Sequence, residues 1–176
     1  MNCSSCGGPL KPRPTDDALV CEYCRNVFYP EKNDDGVVVL SEAHDEPCPV
    51  CAIPLMNASL ERAEIRYCTK CHGMLIPMDG FPEVIDALRE RNPGRVDIPP
   101  LDPEELKRKL ACPHCHQPMT VDYYPAATNV VIGLCEHCSL DWVDHGKMAR
   151  IVDGARRLRE VETDLAEDRL NSDFRL

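Results

Sequence analysis

The chain contains twelve cysteines, and every one belongs to a C-x-x-C pair. Cys3 and Cys6 are followed by Cys21 and Cys24. Cys48 and Cys51 are followed by Cys68 and Cys71, and Cys112 and Cys115 by Cys135 and Cys138. Two residues between thiols make a tight turn, so both sulfurs can face one ion. A second turn, carried across by a hairpin, completes a tetrahedron of the kind Zn²⁺ takes in closed structural sites. Pairs separated by 14, 16 and 19 residues, three times in one chain, form a specific pattern. Three Zn²⁺ per chain are expected, with iron in one such S₄ site as the competing reading.

The first pair of each set continues as C-x-x-C-x-x-P-(L/M), at Pro9-Leu10, Pro54-Leu55 and Pro118-Met119, and the second pairs lack this tail. The repeat is therefore turn, hairpin, turn, with ligands drawn from within each unit. A disulfide framework would suit a secreted chain, but no basic and apolar signal segment opens this one. A thioredoxin-type redox pair needs a βαβ setting that the sequence does not offer. Cys68 to His72 and Cys112 to His116 match the haem-attachment pattern C-x-x-C-H, yet each pair already has a partner pair in its own repeat. His72, His114, His116 and His137 flank ligands and are expected to tune or shield the sites; His44 reads as a solvated residue.

The elements that must hold these turns follow from the intervening residues. A ribbon of this size buries too little apolar surface to fold alone, so metal supplies the missing stability. The predicted fold is a small metal-stabilised α+β chain of three tandem Cys₄ zinc ribbons. Ribbon 1 covers 1–30, with Leu19-Val20 and Val27 to Tyr29 as strands. Residues 31–47 are a connector, in which Val37 to Leu40 can pair and the acidic stretch Ser41 to Pro47 is expected to be exposed. Ribbon 2 and a helix cover 48–92; Phe81, Val84, Ile85 and Leu88 share one helical face, and Asn92-Pro93-Gly94 stops the helix. Residues 93–110 are a proline-rich linker and a short helix from Asp102 to Leu110, whose Lys107-Arg108-Lys109 run would complement the helix dipole. Ribbon 3 covers 111–143, with Trp142 packed beside the metal turns. Residues 144–176 are a long amphipathic helix running toward Asn171, with Met148, Ile151, Val152, Ala155, Leu158, Val161 and Leu165 on its stripe and fraying expected from Asp168.

The formal charge is −10; twelve thiolates and three Zn²⁺ would take it to −16. Such a field opposes nonspecific binding to phosphate backbones. Lys11, Arg13 and Arg25 read as scattered solvated charges. No run of 18 apolar residues is present, so no transmembrane helix is expected, and reduced cysteines without a targeting segment point to the cytoplasm.

Ribbons 2 and 3 resemble the bacterial zinc-ribbon family named for transcription factor IIB. Its pattern is C-P-x-C, a hairpin, then C-x-x-C-H-G-x-W-L-D-x-G-E-L entering a helix. Ribbon 2 matches C-P-V-C and C-T-K-C-H-G from Cys48 to Gly73, departing at Leu75, Pro77 and Asp79. Ribbon 3 matches C-P-H-C and W-V-D-H-G-K-M from Trp142 to Met148, departing at Ser139, Leu140 and Lys147. Ribbon 1 shares only the generic pairs. The resemblance implies Cys₄ ribbons each followed by a helix and leaves the task open.

The leading functional expectation is a non-enzymatic, zinc-binding scaffold or adaptor that contacts an unidentified protein through the C-terminal helix. The alternative is a transcription-associated or nucleic-acid-binding protein. An enzyme would need an open coordination position, and all three shells read as closed.

Overall fold

The computed structural model describes residues 2–13, 18–91, 96, 99–125 and 127–173. The predicted helix stop at Asn92-Pro93-Gly94, much of the proline-rich linker and residues 174–176 of the tail lie outside these. The described residues form two antiparallel sheets and two α-helices. Among the described residues, no helix is long and apolar enough to cross a membrane.

Ribbon 1 contains β1 (Leu10–Pro12), β2 (Leu19–Cys21) and β3 (Val27–Phe28), in that order in a three-stranded sheet. Among its described residues few are buried: Cys3, Ala18, Leu19 and Cys21.

The second sheet has seven strands: β4 (Val38–Pro47), β5 (Pro54–Leu60), β6 (Ala63–Tyr67), β7 (Met74–Pro77), β8 (Thr120–Tyr124), β9 (Ala127–Cys135) and β10 (Leu140–Val143). Their spatial order is β4-β5-β6-β7-β10-β9-β8. Ribbons 2 and 3 therefore share one sheet, joined where β7 pairs antiparallel with β10. Each ribbon contributes a hairpin and the strand that follows its second cysteine pair, so the two are related by an approximate two-fold axis through the β7–β10 seam. Leu75 faces Trp142 directly across that seam. These are equivalent positions in the two repeats. Both side chains are buried, at 2% and 0% exposure, and two facing indoles would overfill the space. A leucine at position 75 therefore suits the space opposite Trp142.

The stretch Ser41 to Pro47 is part of β4 and pairs along β5, with register shifts on either side of Ala43; Ala43 and Asp45 are exposed, as expected, and His44, Glu46 and Pro47 are half-buried. The outer edge of β5 offers unpaired backbone groups, and the connector satisfies them. The short helix expected from Asp102 to Leu110 is a single 3₁₀ turn, Glu105–Lys107. Asp102 does accept a hydrogen bond from the Glu104 N–H at 3.0 Å. The turn ends because Arg108 is extended and its guanidinium reaches Asp144 at 2.5 and 3.0 Å. Leu110 then buries beside Gly133. These tertiary contacts override local helix propensity, and Arg108 serves a half-buried ion pair rather than a helix dipole.

The helices α1 (Phe81–Arg91) and α2 (Lys147–Asp173) each follow one ribbon. Phe81, Val84, Ile85 and Leu88 of α1 share a core with Met148, Ile151 and Val152 of α2 and with Ile65, Tyr67, Ile76, Val130 and Ile132 of the sheet. The apolar stripe of α2 is thus divided. Its first two turns dock, whereas Leu158 and Val161 remain 45% and 55% exposed. The helix continues to Asp173, beyond the point where fraying was expected.

Candidate metal centres

Each C-x-x-C pair folds into the same turn. In five of the six, the N–H of the residue after the second cysteine bonds to the carbonyl of the first at 2.8–3.0 Å, as in Gly7 to Cys3 and His72 to Cys68. In the same five, the first cysteine's N–H bonds to the carbonyl five residues on, at 2.8–2.9 Å. In the sixth, the strand pairing of Cys135 with Leu140 takes that place. The closing residue always has a left-handed backbone: Gly7, Arg25, Ala52, His72, His116 and Ser139, with φ between 53° and 76°. Only Gly7 adopts this without steric cost; the other five are strained by roughly 1–2 kcal/mol each. Six such turns built alike amount to a chain shaped around its sulfurs.

The turns bring the twelve cysteines into three quartets: Cys3, Cys6, Cys21, Cys24; Cys48, Cys51, Cys68, Cys71; and Cys112, Cys115, Cys135, Cys138. Within each, all four Sγ atoms lie within 4.8 Å of one another. The close sulfur pairs are Cys3–Cys24 at 3.6 Å, Cys6–Cys21 at 3.4 Å, Cys48–Cys71 at 3.6 Å and Cys115–Cys135 at 3.7 Å. A tetrahedral thiolate shell with metal–sulfur bonds of about 2.3 Å has edges of about 3.8 Å. The quartets fit such an ion. Backbone N–H groups also point at sulfur, from Ser5 to Cys3 at 3.4 Å and from Val50 and Cys51 to Cys48 at 3.4 and 3.3 Å. They spread thiolate charge.

The thiols of each quartet are driven apart in acidity. Burial would raise Cys3, but the N–H groups of Ser5 and Cys6 and the neighbouring sulfurs bring it down to about 6. Against the lowering N–H of Asn26, burial and the adjacent sulfurs push Cys24 up to about 12. The second quartet splits likewise, with Cys71 raised by burial and Cys68 lowered by its N–H donors against burial. In the third, the Gln117 N–H helps bring Cys115 to about 7 while burial raises Cys138. Four sulfurs this close cannot all ionise without a cation among them.

Trp142 links two of the centres. It is fully buried in a cluster with Cys48, Cys68, Cys112, Cys135, Leu55 and Leu75, so the ring lies between the second and third quartets. Its indole passes so close to Gly73 that any Cβ there would collide with it. Its Nε1–H donates to Asp144 at 3.1 Å. Lys147 has its Nζ buried against Glu105 at 2.6 Å, Asp144 at 3.0 Å and the Val131 carbonyl at 2.7 Å. Burial would raise the Asp144 carboxyl, but Arg108 and Lys147 hold it below the ordinary carboxylate range.

The flanking histidines have partners of their own. Asn33 Nδ2 donates to the Tyr67 hydroxyl at 2.9 Å, which leaves that O–H to donate to His72 Nδ1 at 2.5 Å. His72 also meets the His145 ring at a tilt of 51°, ring centroids 5.2 Å apart, and His145 meets Asp35 at 3.2 Å. His44 is not simply solvated: its Nδ1 lies 3.2 Å from Glu46, whose carboxylate also meets His114 at 2.8 Å and Arg66 at 3.5 Å. These groups line an open cleft of about 610 Å³ beside Cys115 and Cys138. Nothing in the spacing of residues 44, 46, 66 and 114 signals this cluster, since β4 and ribbon 3 meet only in the folded chain.

No family model and no solved structure matches the chain. Over 88 residues, half of the chain, it is 28% identical to proteins named NAD-capped RNA hydrolase NudC from Salmonella typhi, Salmonella paratyphi B and Salmonella newport. The matched part spans 28% of the length of those relatives. Their name is that of an enzyme. The expectation of a non-enzymatic protein, which rested on three closed shells, is therefore set aside: a closed thiolate shell describes the metal turns and says nothing of chemistry carried elsewhere in a protein that contains them.

Proposed function

We propose that the chain is a zinc-binding interaction scaffold or adaptor, and that it serves an RNA-directed hydrolytic process of the kind its relatives are named for. Each quartet holds one Zn²⁺, and ribbons 2 and 3 belong with the transcription factor IIB-type zinc ribbons. The cytoplasm, where thiols stay reduced, suits such sites. The observation carrying the scaffold reading is the division of α2: two turns are locked into the core, and the apolar stripe then continues, half exposed, along a helix that runs to Asp173. Metals make the platform rigid, and the helix presents the contact.

Elemental analysis beside native mass spectrometry should find three zinc ions per chain; fewer than two overturns the zinc reading. A chain lacking residues 144–176 should lose partner binding, and unchanged affinity for every partner sinks the scaffold assignment.

A second reading, direct contact with nucleic acid, is favoured by ribbon 1. Tyr23 and Tyr29 are 77% and 73% exposed, and Arg13 donates to the Tyr29 hydroxyl at 3.3 Å. Exposed rings beside cations suit stacking on single strands. Its signature is retention on RNA with a steep salt slope, lost on Tyr23→Ala and Tyr29→Ala together.

A further inference from the structure

The charge along α2 is polarised. Residues 147–159 carry five cations, Lys147, Arg150, Arg156, Arg157 and Arg159, against Asp153, for a net +4. Residues 160–173 carry six carboxylates against Arg169, for a net −5. This is the reverse of what an isolated helix favours, which is acids at its N-terminus and bases at its C-terminus. No acid occupies the first turn and no base the last. Helix stability therefore does not explain the pattern, and the reversal falls at residues 159 and 160, between the exposed Leu158 and Val161.

We propose that α2 is a self-association element that pairs antiparallel with α2 of a second copy of this chain. This rests on the scaffold reading and names its first partner. A two-fold axis between residues 160 and 161 sets Leu158 and Val161 of both copies at the centre. Leu165 continues the same spacing in the sequence. The axis brings Arg157 of one copy level with Asp164 of the other, and Arg159 level with Glu162, each twice over. The exposed Arg157 and Arg159 of each helix then face the acidic half of its mate, which offsets part of the unfavourable order that either helix has alone. A parallel pair would set like charges side by side.

The face is available. Met148, Ile151 and Val152 dock into the core, and further along the helix Leu158 and Val161 are left 45% and 55% exposed. Arg157 reaches Asp153 at 2.8 Å and Arg159 reaches Asp86 at 3.3 Å, yet these two arginines stay 48% and 60% exposed. The Arg159–Asp86 pair is exposed and therefore weak, and the buried Asp153 keeps Arg156 as a second partner, so both arginines can be re-paired.

The test uses the full, metal-loaded chain in sedimentation equilibrium at low and high salt. The wild type should be a concentration-dependent dimer that shifts toward monomer as salt rises. R157E/R159E leaves only acids among the charged residues of 157–164 and should be monomeric; E162R/D164R leaves the same stretch with a net +3 and should also be monomeric. An equimolar mixture of the two variants should regain the dimer, because each supplies the charge the other lacks. That recovery cannot come from a misfolded variant. A wild type that stays monomeric at every concentration overturns the proposal, and so does a dimer indifferent to both reversals or a mixture that does not associate. A monomeric wild type whose partner binding still depends on residues 144–176 would end this proposal and leave the scaffold reading standing.

Discussion

Asp141 should be the most stabilising single residue to neutralise. It sits on β10 opposite Ile76 and Leu134. It is 5% exposed, and among the described residues nothing hydrogen-bonds its Oδ1. Burial lifts its carboxyl from 3.8 to about 6. The folded state therefore holds this proton more tightly than the unfolded chain does, and the ionised form costs stability. The penalty is absent below the unfolded value, grows between about pH 4 and 6, and is complete above that window. Two pKa units at about 1.4 kcal/mol each set a ceiling near 3 kcal/mol at pH 7. Asp141→Asn keeps the shape and removes the charge; an amide left without a partner retains some desolvation cost, so the expected gain is about 1–3 kcal/mol. Urea unfolding with metal held saturating measures it. At pH 5.5 the advantage should shrink by about 0.8 kcal/mol as wild-type Asp141 takes up its proton. No gain at pH 7, or a gain equal at both pH values, would refute the reasoning.

Ala52 closes its turn at φ 57° and spends only a methyl group there, so Ala52→Gly should stabilise the metal-loaded chain by about 1 kcal/mol in the same assay. Leu75→Trp sets a second indole opposite Trp142 and should lose about 1–3 kcal/mol by overpacking the two-fold seam; unchanged stability would mean that the seam has room. Lys147→Met leaves Glu105 and Asp144 without their buried ammonium and should cost about 3–5 kcal/mol, seen as a lower thermal midpoint at neutral pH.

What the relatives contribute is narrower than their name. They share half of this chain and 28% of their own length with it. That overlap says what half of this chain is similar to, and the scaffold role is tested on α2 directly.

The quartets were legible before folding because a thiolate shell is a local affair. Two residues between cysteines dictate a turn, and the Pro-Leu tail marks which turn begins a unit, so the sulfur groupings follow from spacing alone. The α1 face was equally plain, since Phe81, Val84, Ile85 and Leu88 obey helical periodicity and nothing distant competes. Trp142 was placed beside the metal turns by its position after Cys138. Local pattern could not show that β7 of one ribbon pairs with β10 of the next, because an edge strand carries no mark of its mate. That one long-range pairing turns two ribbons into a single sheet and sets Leu75 against Trp142. It is also what makes Gly73 a necessity rather than a turn residue. Arg108, Lys147 and Asp141 were misjudged or passed over for the same reason. A charge near a helix end reads as solvated until tertiary packing decides whether it meets a counter-ion, a carbonyl or only carbon.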